Sequence, residues 1–184
     1  HIIYISSALV YGDKTTIINS PNHSLSNIKY DDRYKAYVKT KIESEKIFLD
    51  AGATIFRLAN VYGPFIKKDT IFDKIVSKIK NDEVIELQNT RVERDFIWIE
   101  DVIKCIFKAT EKKNNNIFNL GSGSTISINE LTKKIQLILN TNKKINSKNL
   151  DFSCIKLDVD ETKKTFNWKP LVDINHGLKI ILKN

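Results

Sequence analysis

Apolar positions along the chain switch between two spacings, and each switch marks an element. Ile2 to Ile5 is a short β-branched run that predicts a strand, and Thr54-Ile55-Phe56-Arg57-Leu58 predicts another. Between them, Tyr34 to Asp50 has no Gly or Pro and carries Ala36, Ile42, Ile47, Phe48 and Leu49. It halts at Gly52, so it reads as a helix with a glycine stop. Strand, helix-bearing connection and strand make a parallel crossover. Apolar residues at 71, 72, 75, 76 and 79 form a helical stripe. Val84 to Leu87 and Phe96 to Ile99 read as short strands, the second feeding a helix from about Glu100 to Thr110. Ile117 to Leu120 is a strand that ends at Gly121-Ser122-Gly123-Ser124. Ser127 then caps a helix to about Leu139, with Glu130 three residues on as the second half of a capping box. The polar, Lys- and Asn-rich stretch from Asn140 to Asn149 reads as a loop. A short helix near Asp160 to Thr165, Trp168-Lys169-Pro170 and a last helix from about Ile174 complete the chain, and no fixed-period repeat is present.

Composition narrows the class. With 184 residues, 41% hydrophobic and 28% charged, the chain is an ordinary globular sequence long enough for one sizeable core or two small ones. It contains no Met and begins in mid-strand, so it reads as an excerpt of a longer protein. Cys105 and Cys154 lie far apart outside any metal or disulfide spacing and are expected to be inert. Neither a charged-then-apolar leader nor a membrane-spanning run is present, which makes the cytoplasm the expected location and excludes a membrane partner. The net charge of +8 raises the possibility of nucleic-acid binding. However, 26 of the 30 basic residues are Lys, scattered without interleaved aromatics, so they read as solvated faces and no nucleic-acid partner is expected.

Candidate chemistry begins at Tyr37-Val38-Lys39-Thr40-Lys41, where a spacing of four sets Tyr37 and Lys41 on one helical face and an ammonium can favour a phenolate. With six Tyr and this Lys content, roughly one such pair arises by chance, and alone it reads as an exposed helix pair. Its company changes that reading. Ser6-Ser7-Ala8-Leu9-Val10-Tyr11-Gly12 puts a hydroxyl at the carboxyl end of a parallel strand, where open α/β sheets bind ligands. Arg57-Leu58-Ala59-Asn60-Val61-Tyr62-Gly63-Pro64 follows the next strand, and Arg94-Asp95-Phe96-Ile97-Trp98-Ile99-Glu100-Asp101-Val102 comes later.

These blocks, in this order, resemble those of the extended short-chain dehydrogenase/reductase family, the sugar-nucleotide epimerases and dehydratases. The Asn119 to Gly123 turn and the closing Trp168-x-Pro170 with its helix fit as well, so the resemblance covers essentially the whole chain. It implies that Tyr37 is the catalytic base or acid. Lys41 would tune Tyr37 and hold the nicotinamide ribose, and Ser7 would hydrogen-bond the reacting sugar oxygen. Leu58 would line the nicotinamide pocket, and Asn60 and Arg94 would anchor the substrate diphosphate, a task suited to a charged fork. It further implies NAD or NADP as cofactor, a nucleotide-sugar substrate and a homodimer in the full-length protein. Ser6 reads as a structural strand-end hydroxyl and Arg57 as half of an ion pair, while Tyr11 and Tyr62 would pack beside the site. Trp168 reads as a core anchor, and His1, His23 and His176 as surface or loop residues.

Two departures refine the expectation. The sugar 4,6-dehydratases carry an Asp-Glu pair after the strand-end hydroxyl, where this chain has Ala8 and Leu9, which disfavours water elimination. The family's Gly-x-x-Gly-x-x-Gly loop, which cradles the cofactor pyrophosphate, has no counterpart here, and Gly121-Ser122-Gly123 comes too late to serve. The expected fold class is therefore α/β: the C-terminal part of a Rossmann-like parallel sheet with a smaller α/β substrate domain. Residues 1–63 and 100–112 are expected in the nucleotide-binding part, and 64–99 and 113–184 in the substrate-binding part. The expected activity of the parent protein is NAD-dependent 4-epimerisation of a nucleotide-activated hexose. A 4-keto sugar reductase and a non-catalytic fragment are the alternatives.

Overall fold

The computed structural model describes residues 1–12, 18–22, 25, 31–64, 68–148 and 152–183. In chain order the elements are β1 (Ile3–Ser7), β2 (Ile18–Asn19), α1 (Lys35–Asp50), β3 (Thr54–Leu58), β4 (Asn60–Tyr62), α2 (Ile71–Lys80), β5 (Ile85–Leu87), β6 (Glu93–Arg94) and β7 (Phe96–Trp98). They continue with α3 (Ile99–Glu111), β8 (Ile117–Leu120), β9 (Ile126–Ser127), α4 (Ile128–Ile138), β10 (Ile145–Ser147), β11 (Cys154–Leu157), α5 (Asp160–Phe166) and α6 (Ile174–Lys183). The chain is thus mixed α/β.

β1, β3 and β8 form a parallel sheet in that order, with Ser7 opposite Leu58 and Leu58 opposite Leu120, so the three strands end level. α1 closes the crossover between β1 and β3, ending at Ala51 and Gly52, where φ of +78° suits a residue without Cβ. β8 belongs to this first sheet by its hydrogen bonds to β3, although sequence order groups residues from 113 onward with the substrate-binding part. A second sheet runs β2-β11-β6-β9, and β4 pairs with β7 in parallel. Asn140 to Asn149 is not wholly loop: Ile145–Ser147 forms β10 in parallel with β5, whose short apolar edge at Ile85 and Leu87 takes a partner. Asn149 and His23 lie outside the described residues.

Two apolar cores result. The first gathers Phe56, Phe118, Phe166 and Trp168 with Val102, Cys105 and Ala109 of α3. The second gathers Tyr62, Phe72, Phe96, Trp98, Leu131, Ile135 and Leu178. Trp168 anchors the first core as expected, its Nε1 donating to the Asp101 carbonyl at 3.0 Å. The buried Asp101 carboxylate accepts from Leu171 and Val172 N–H, each at 2.9 Å, and ties the closing segment to the start of α3. Tyr62 lies in the second core, stacked on Phe72 at 5.5 Å, and its hydroxyl donates to the Asp173 carbonyl. Its pKa is raised by burial and by the charges of Asp173 and Asp101.

The α1 face of the first sheet is held differently, by buried charge. Glu45 and Arg57 have side chains only 4% exposed, and Arg57 Nη2 lies 2.7 Å from Glu45 Oε2. Arg57 Nε also donates to both Glu45 oxygens, at 3.1 and 3.3 Å, and Ser6 Oγ donates to Oε1 at 2.5 Å. The expected ion pair at Arg57 and the structural role of Ser6 are both present. Burial alone would lower the Arg57 pKa, but its hydrogen bonds to Glu45 and Tyr11 and their nearby charges outweigh it and hold the guanidinium above its ordinary value. The network continues through the Tyr11 ring, 4.9 Å from the guanidinium carbon, and the Tyr11 hydroxyl, which donates to Asn119 Oδ1 at 2.7 Å. Asn119 Nδ2 donates to the carbonyls of Asn19 and Asp158, and Thr162 Oγ1 donates to the Asn119 carbonyl, so the network joins α1 to β2, β8 and α5.

Removing one partner of a buried, hydrogen-bonded ion pair strands the other charge, so Arg57→Ala is expected to cost about 3–5 kcal/mol. Urea or guanidinium unfolding measures this, and a loss under about 1 kcal/mol, the size of an exposed pair, would contradict the buried geometry. Burial also pushes the Cys105 thiol up to about 12, with Lys108 opposing, while burial and then Glu93 raise that of half-buried Cys154. Neither thiol is ionised to a useful extent at neutral pH. Iodoacetamide is therefore expected to label native protein slowly at Cys154 and to reach Cys105 only after denaturation, as read by peptide mass mapping.

Candidate active site

The carboxyl ends of β1 and β3 carry Ser7 and Leu58 as register partners. Ser7 is extended, with φ −139° and ψ 141°, and its Oγ accepts from Leu9 N at 3.2 Å, capping the 3-10 turn Ala8–Tyr11. That bond fixes the hydroxyl oxygen and leaves its O–H to donate. Ala8 is buried and Leu9 half-buried in the turn, so no carboxylate occupies the two positions after Ser7. Leu58 is half-buried at the end of β3.

α1 packs on β1, β3 and the 3-10 turn. Tyr37 stands in its first turn with 47% of its surface exposed. One turn on, half-buried Lys41 donates from Nζ to the Ile5 carbonyl at 2.8 Å. The same ammonium lies 4.9 Å from the Tyr4 ring and 5.9 Å from the Tyr37 ring, and Tyr4 stacks on Phe48 at 4.5 Å. The helical spacing thus puts Tyr37 and Lys41 on one face as expected, while the strand decides where the ammonium rests. A lysine ammonium has three N–H donors, so the bond to Ile5 leaves two.

Asn60, separated from Leu58 only by Ala59, begins β4, and both its backbone N–H and its Nδ2 donate to the Asp95 carbonyl, at 3.1 and 3.2 Å. Arg94 lies in the second sheet, opposite Ile155 of β11 and Ile126 of β9, and its Nη1 donates to the carbonyls of Glu93 and Ser153 at 2.8 and 3.2 Å. Ser7 and Leu58 are therefore paired at the ends of β1 and β3, and the helix bearing Tyr37 and Lys41 packs on those strands and on the turn after Ser7. Asn60 is tied to the residue that follows Arg94.

Three supporting positions are given no role by the motif blocks. Asp95, 1% exposed, accepts from Ser122 N, Ser122 Oγ and Gly123 N at 2.8, 2.7 and 3.0 Å. Burial raises its pKa and these donors oppose the rise. A Cβ on Gly121 would come within 2.7 Å of Asp95 Oδ2, so the turn needs glycine there to close on the carboxylate. Its amides are committed to Asp95, which agrees with the turn being no phosphate cradle. In sequence Asp95 is one of three consecutive charged residues, Glu93-Arg94-Asp95, just before the apolar Phe96 to Ile99, and nothing local singles it out. Glu45, four residues past Lys41, and Tyr4, two residues before Ser6, are the others, and each is recognisable only from the partner it meets. His1 and His176 are exposed, with His1 Nε2 2.9 Å from Thr54 Oγ1. Among the described residues, no group of three or more His, Cys, Asp or Glu could hold a metal ion, and no helix is long and apolar enough to cross a membrane.

Comparison with known proteins gives this geometry a context. The chain is 25% identical over 198 residues to the dTDP-4-dehydro-6-deoxyglucose reductase of Escherichia coli, covering 100% of this chain and 60% of that protein. It is 24% identical over 189 residues to a UDP-glucuronate 4-epimerase of Thermodesulfobacterium geofontis, covering 97% of this chain and 57% of that protein. The solved UDP-glucose 4-epimerase of Thermotoga maritima, with UDP-glucose, superposes with a TM-score of 0.84 at 23% identity, covering 98% of this chain and 62% of that one. The chain therefore spans roughly three fifths of the length of each of these proteins. The profile of the NAD dependent epimerase/dehydratase family matches residues 1–121, about two thirds of the chain, and on that match the chain belongs to the NAD-dependent epimerase/dehydratase family.

Proposed function

We propose that the protein carrying this chain interconverts nucleotide-activated hexoses at C4 through a 4-keto sugar. The observation that carries this reading is the juxtaposition of α1, bearing Tyr37 and Lys41, with the strand end at Ser7, followed by apolar Ala8 and Leu9 rather than an acid-base pair. The residues present fit the nicotinamide end of NAD or NADP: an exposed phenol, a lysine with two uncommitted donors and the half-buried Leu58 at the strand ends. They do not supply a pyrophosphate cradle, since the only Gly-x-Gly turn is closed on Asp95. The cofactor, when bound, supplies the acceptor and donor of hydride.

The remaining work falls to side chains. Ser7 donates its O–H to the C4 oxygen and sets its position. Tyr37 takes the C4 hydroxyl proton as the carbon is oxidised and returns it after the sugar has turned over. Lys41 stabilises the phenolate through its charge. Arg94 and Asn60 hold the diphosphate while the hexose moves. We extend the proposal to the nucleotide-binding part at 1–63 and 100–112, the substrate-binding part at 64–99 and 113–184 apart from β8, which the first sheet takes up, a homodimer of the full-length protein and a cytoplasmic location.

Full-length protein supplied with UDP- and dTDP-hexoses is expected to interconvert C4 epimers with no net consumption of NAD(P)H. The relative among the reductases favours a second reading, in which the same residues reduce a 4-keto sugar once. Stoichiometric oxidation of NAD(P)H with a keto sugar would select it and overturn the epimerase.

Tyr37→Phe is expected to lower kcat by about 10²–10⁴-fold, the usual worth of a positioned acid-base group. Arg94→Ala is expected to raise KM for the nucleotide sugar by about 10–100-fold, the equivalent of one or two charge-assisted hydrogen bonds. Steady-state kinetics on both variants reads these effects, and an unchanged KM in Arg94→Ala would remove that residue from the diphosphate site.

A further inference from the structure

We infer that Glu45 is a positioning residue for the Tyr37–Lys41 pair, through its grip on Ser6 and Arg57. The inference rests on the catalytic reading of Tyr37 and Lys41 given above.

Residues 37, 41 and 45 stand at helical spacings of four, so they form one stripe along α1. Exposure falls along it, from the exposed Tyr37 through half-buried Lys41 to the buried Glu45. Of the 16 residues of α1, Val38 and Glu45 are the buried ones; the helix's apolar contacts, Val38, half-buried Ile42 on the first core and Phe48 stacked on Tyr4, are non-directional and do not by themselves fix its exact placement. Glu45 supplies that fix. It accepts from Ser6 Oγ on β1 and from Nε and Nη2 of Arg57 on β3, and Ser6 and Arg57 are register partners. The next residue on each strand is a proposed site residue, Ser7 on one and Leu58 on the other. One carboxylate therefore indexes the helix bearing the base to the two strand ends bearing the hydroxyl and the nicotinamide pocket.

A charged strut suits this task better than an apolar one. Apolar contact is non-directional and tolerates sliding, whereas a carboxylate on a guanidinium fork fixes both distance and angle. Stability does not explain the choice, because a well-packed apolar replacement of a buried ion pair is commonly neutral or stabilising. The geometric stake is large: one residue of helix is about 1.5 Å of rise, and a misplacement of about 1 Å can cost about 10²-fold in rate.

The test uses full-length protein with Glu45→Gln, Glu45→Asp, Tyr37→Phe and Tyr37→Phe/Glu45→Gln, assayed well below each variant's unfolding midpoint. Glu45→Gln is expected to lower kcat by about 10–100-fold with KM for the nucleotide sugar within about twofold. In the Tyr37→Phe background the same change is expected to cause no further loss, because the group it positions is gone. Glu45→Asp keeps a charge opposite Arg57 and shortens the strut by one methylene; it is expected to fold and to show an intermediate kcat. A wild-type kcat in folded Glu45→Gln overturns the inference, as does one in Glu45→Asp where the Gln variant does not fold. Losses that multiply in the double variant overturn it too. If Tyr37→Phe alone leaves kcat unchanged, the catalytic reading fails and the inference falls with it. A large Tyr37 effect beside a silent Glu45 sinks the inference alone.

Discussion

The contact on which the first half of the structure depends is the buried pair of Glu45 and Arg57. Helix α1 meets its sheet through Val38, Ile42 and Phe48 as well as Glu45, and the charged pair adds to that non-directional apolar contact a tie that fixes distance and angle. The pair supplies it across 12 residues of sequence, and Ser6 joins from 39 residues away. Arg57 in turn lies against the Tyr11 ring, and Tyr11 leads to Asn119, where the carbonyls of Asn19 and Asp158 converge. A single connected set of polar contacts thus runs from the helix with Tyr37 to the start of α5. Such a set is stabilising only when its members are satisfied, which is the condition met here by Glu45, Arg57 and Asn119.

Two further buried carboxylates repeat the device on backbone amides. Asp95 closes the Gly121-Ser122-Gly123 turn at the end of β8, and its carbonyl receives both donors of Asn60. Asp101 receives the amides of Leu171 and Val172, with its Oδ1 left without a hydrogen-bond partner among the described residues. In each case an anion gathers N–H groups that would otherwise be orphaned in a loop, at the cost of burying a charge. Three buried acids thus hold structural contacts, while the groups proposed to react, Tyr37, Lys41 and Ser7, are better exposed.

Much of the fold was legible because its signals are local. The helix over Lys35–Asp50 with its glycine stop, the stripe of α2, the Ser127 cap and the order of strands and helices all follow from spacing within a few residues. The motif blocks likewise name Ser7, Tyr37, Lys41, Leu58, Asn60 and Arg94 as candidates, and the family match agrees with the class of protein they imply. What the spacing could not supply was partnership. Asn140 to Asn149 is too polar to read as a strand, yet Ile145–Ser147 pairs because β5 offers an edge. Ile117–Leu120 follows the second group of elements in sequence but is captured by β3.

The α/β class, the succession of elements and the identity of the candidate reactive side chains therefore follow from residue type and short-range period alone. Only the closed chain settles which edges pair, where the Lys41 ammonium rests between the Ile5 carbonyl and two tyrosine rings, and that Glu45 meets Ser6 and Arg57 beneath α1. The physical reason is that these outcomes are set by which charges and strand edges meet after the chain has closed on itself. Ser6 and Asn119 each find their partners across tens of residues, a separation over which no local pattern carries information.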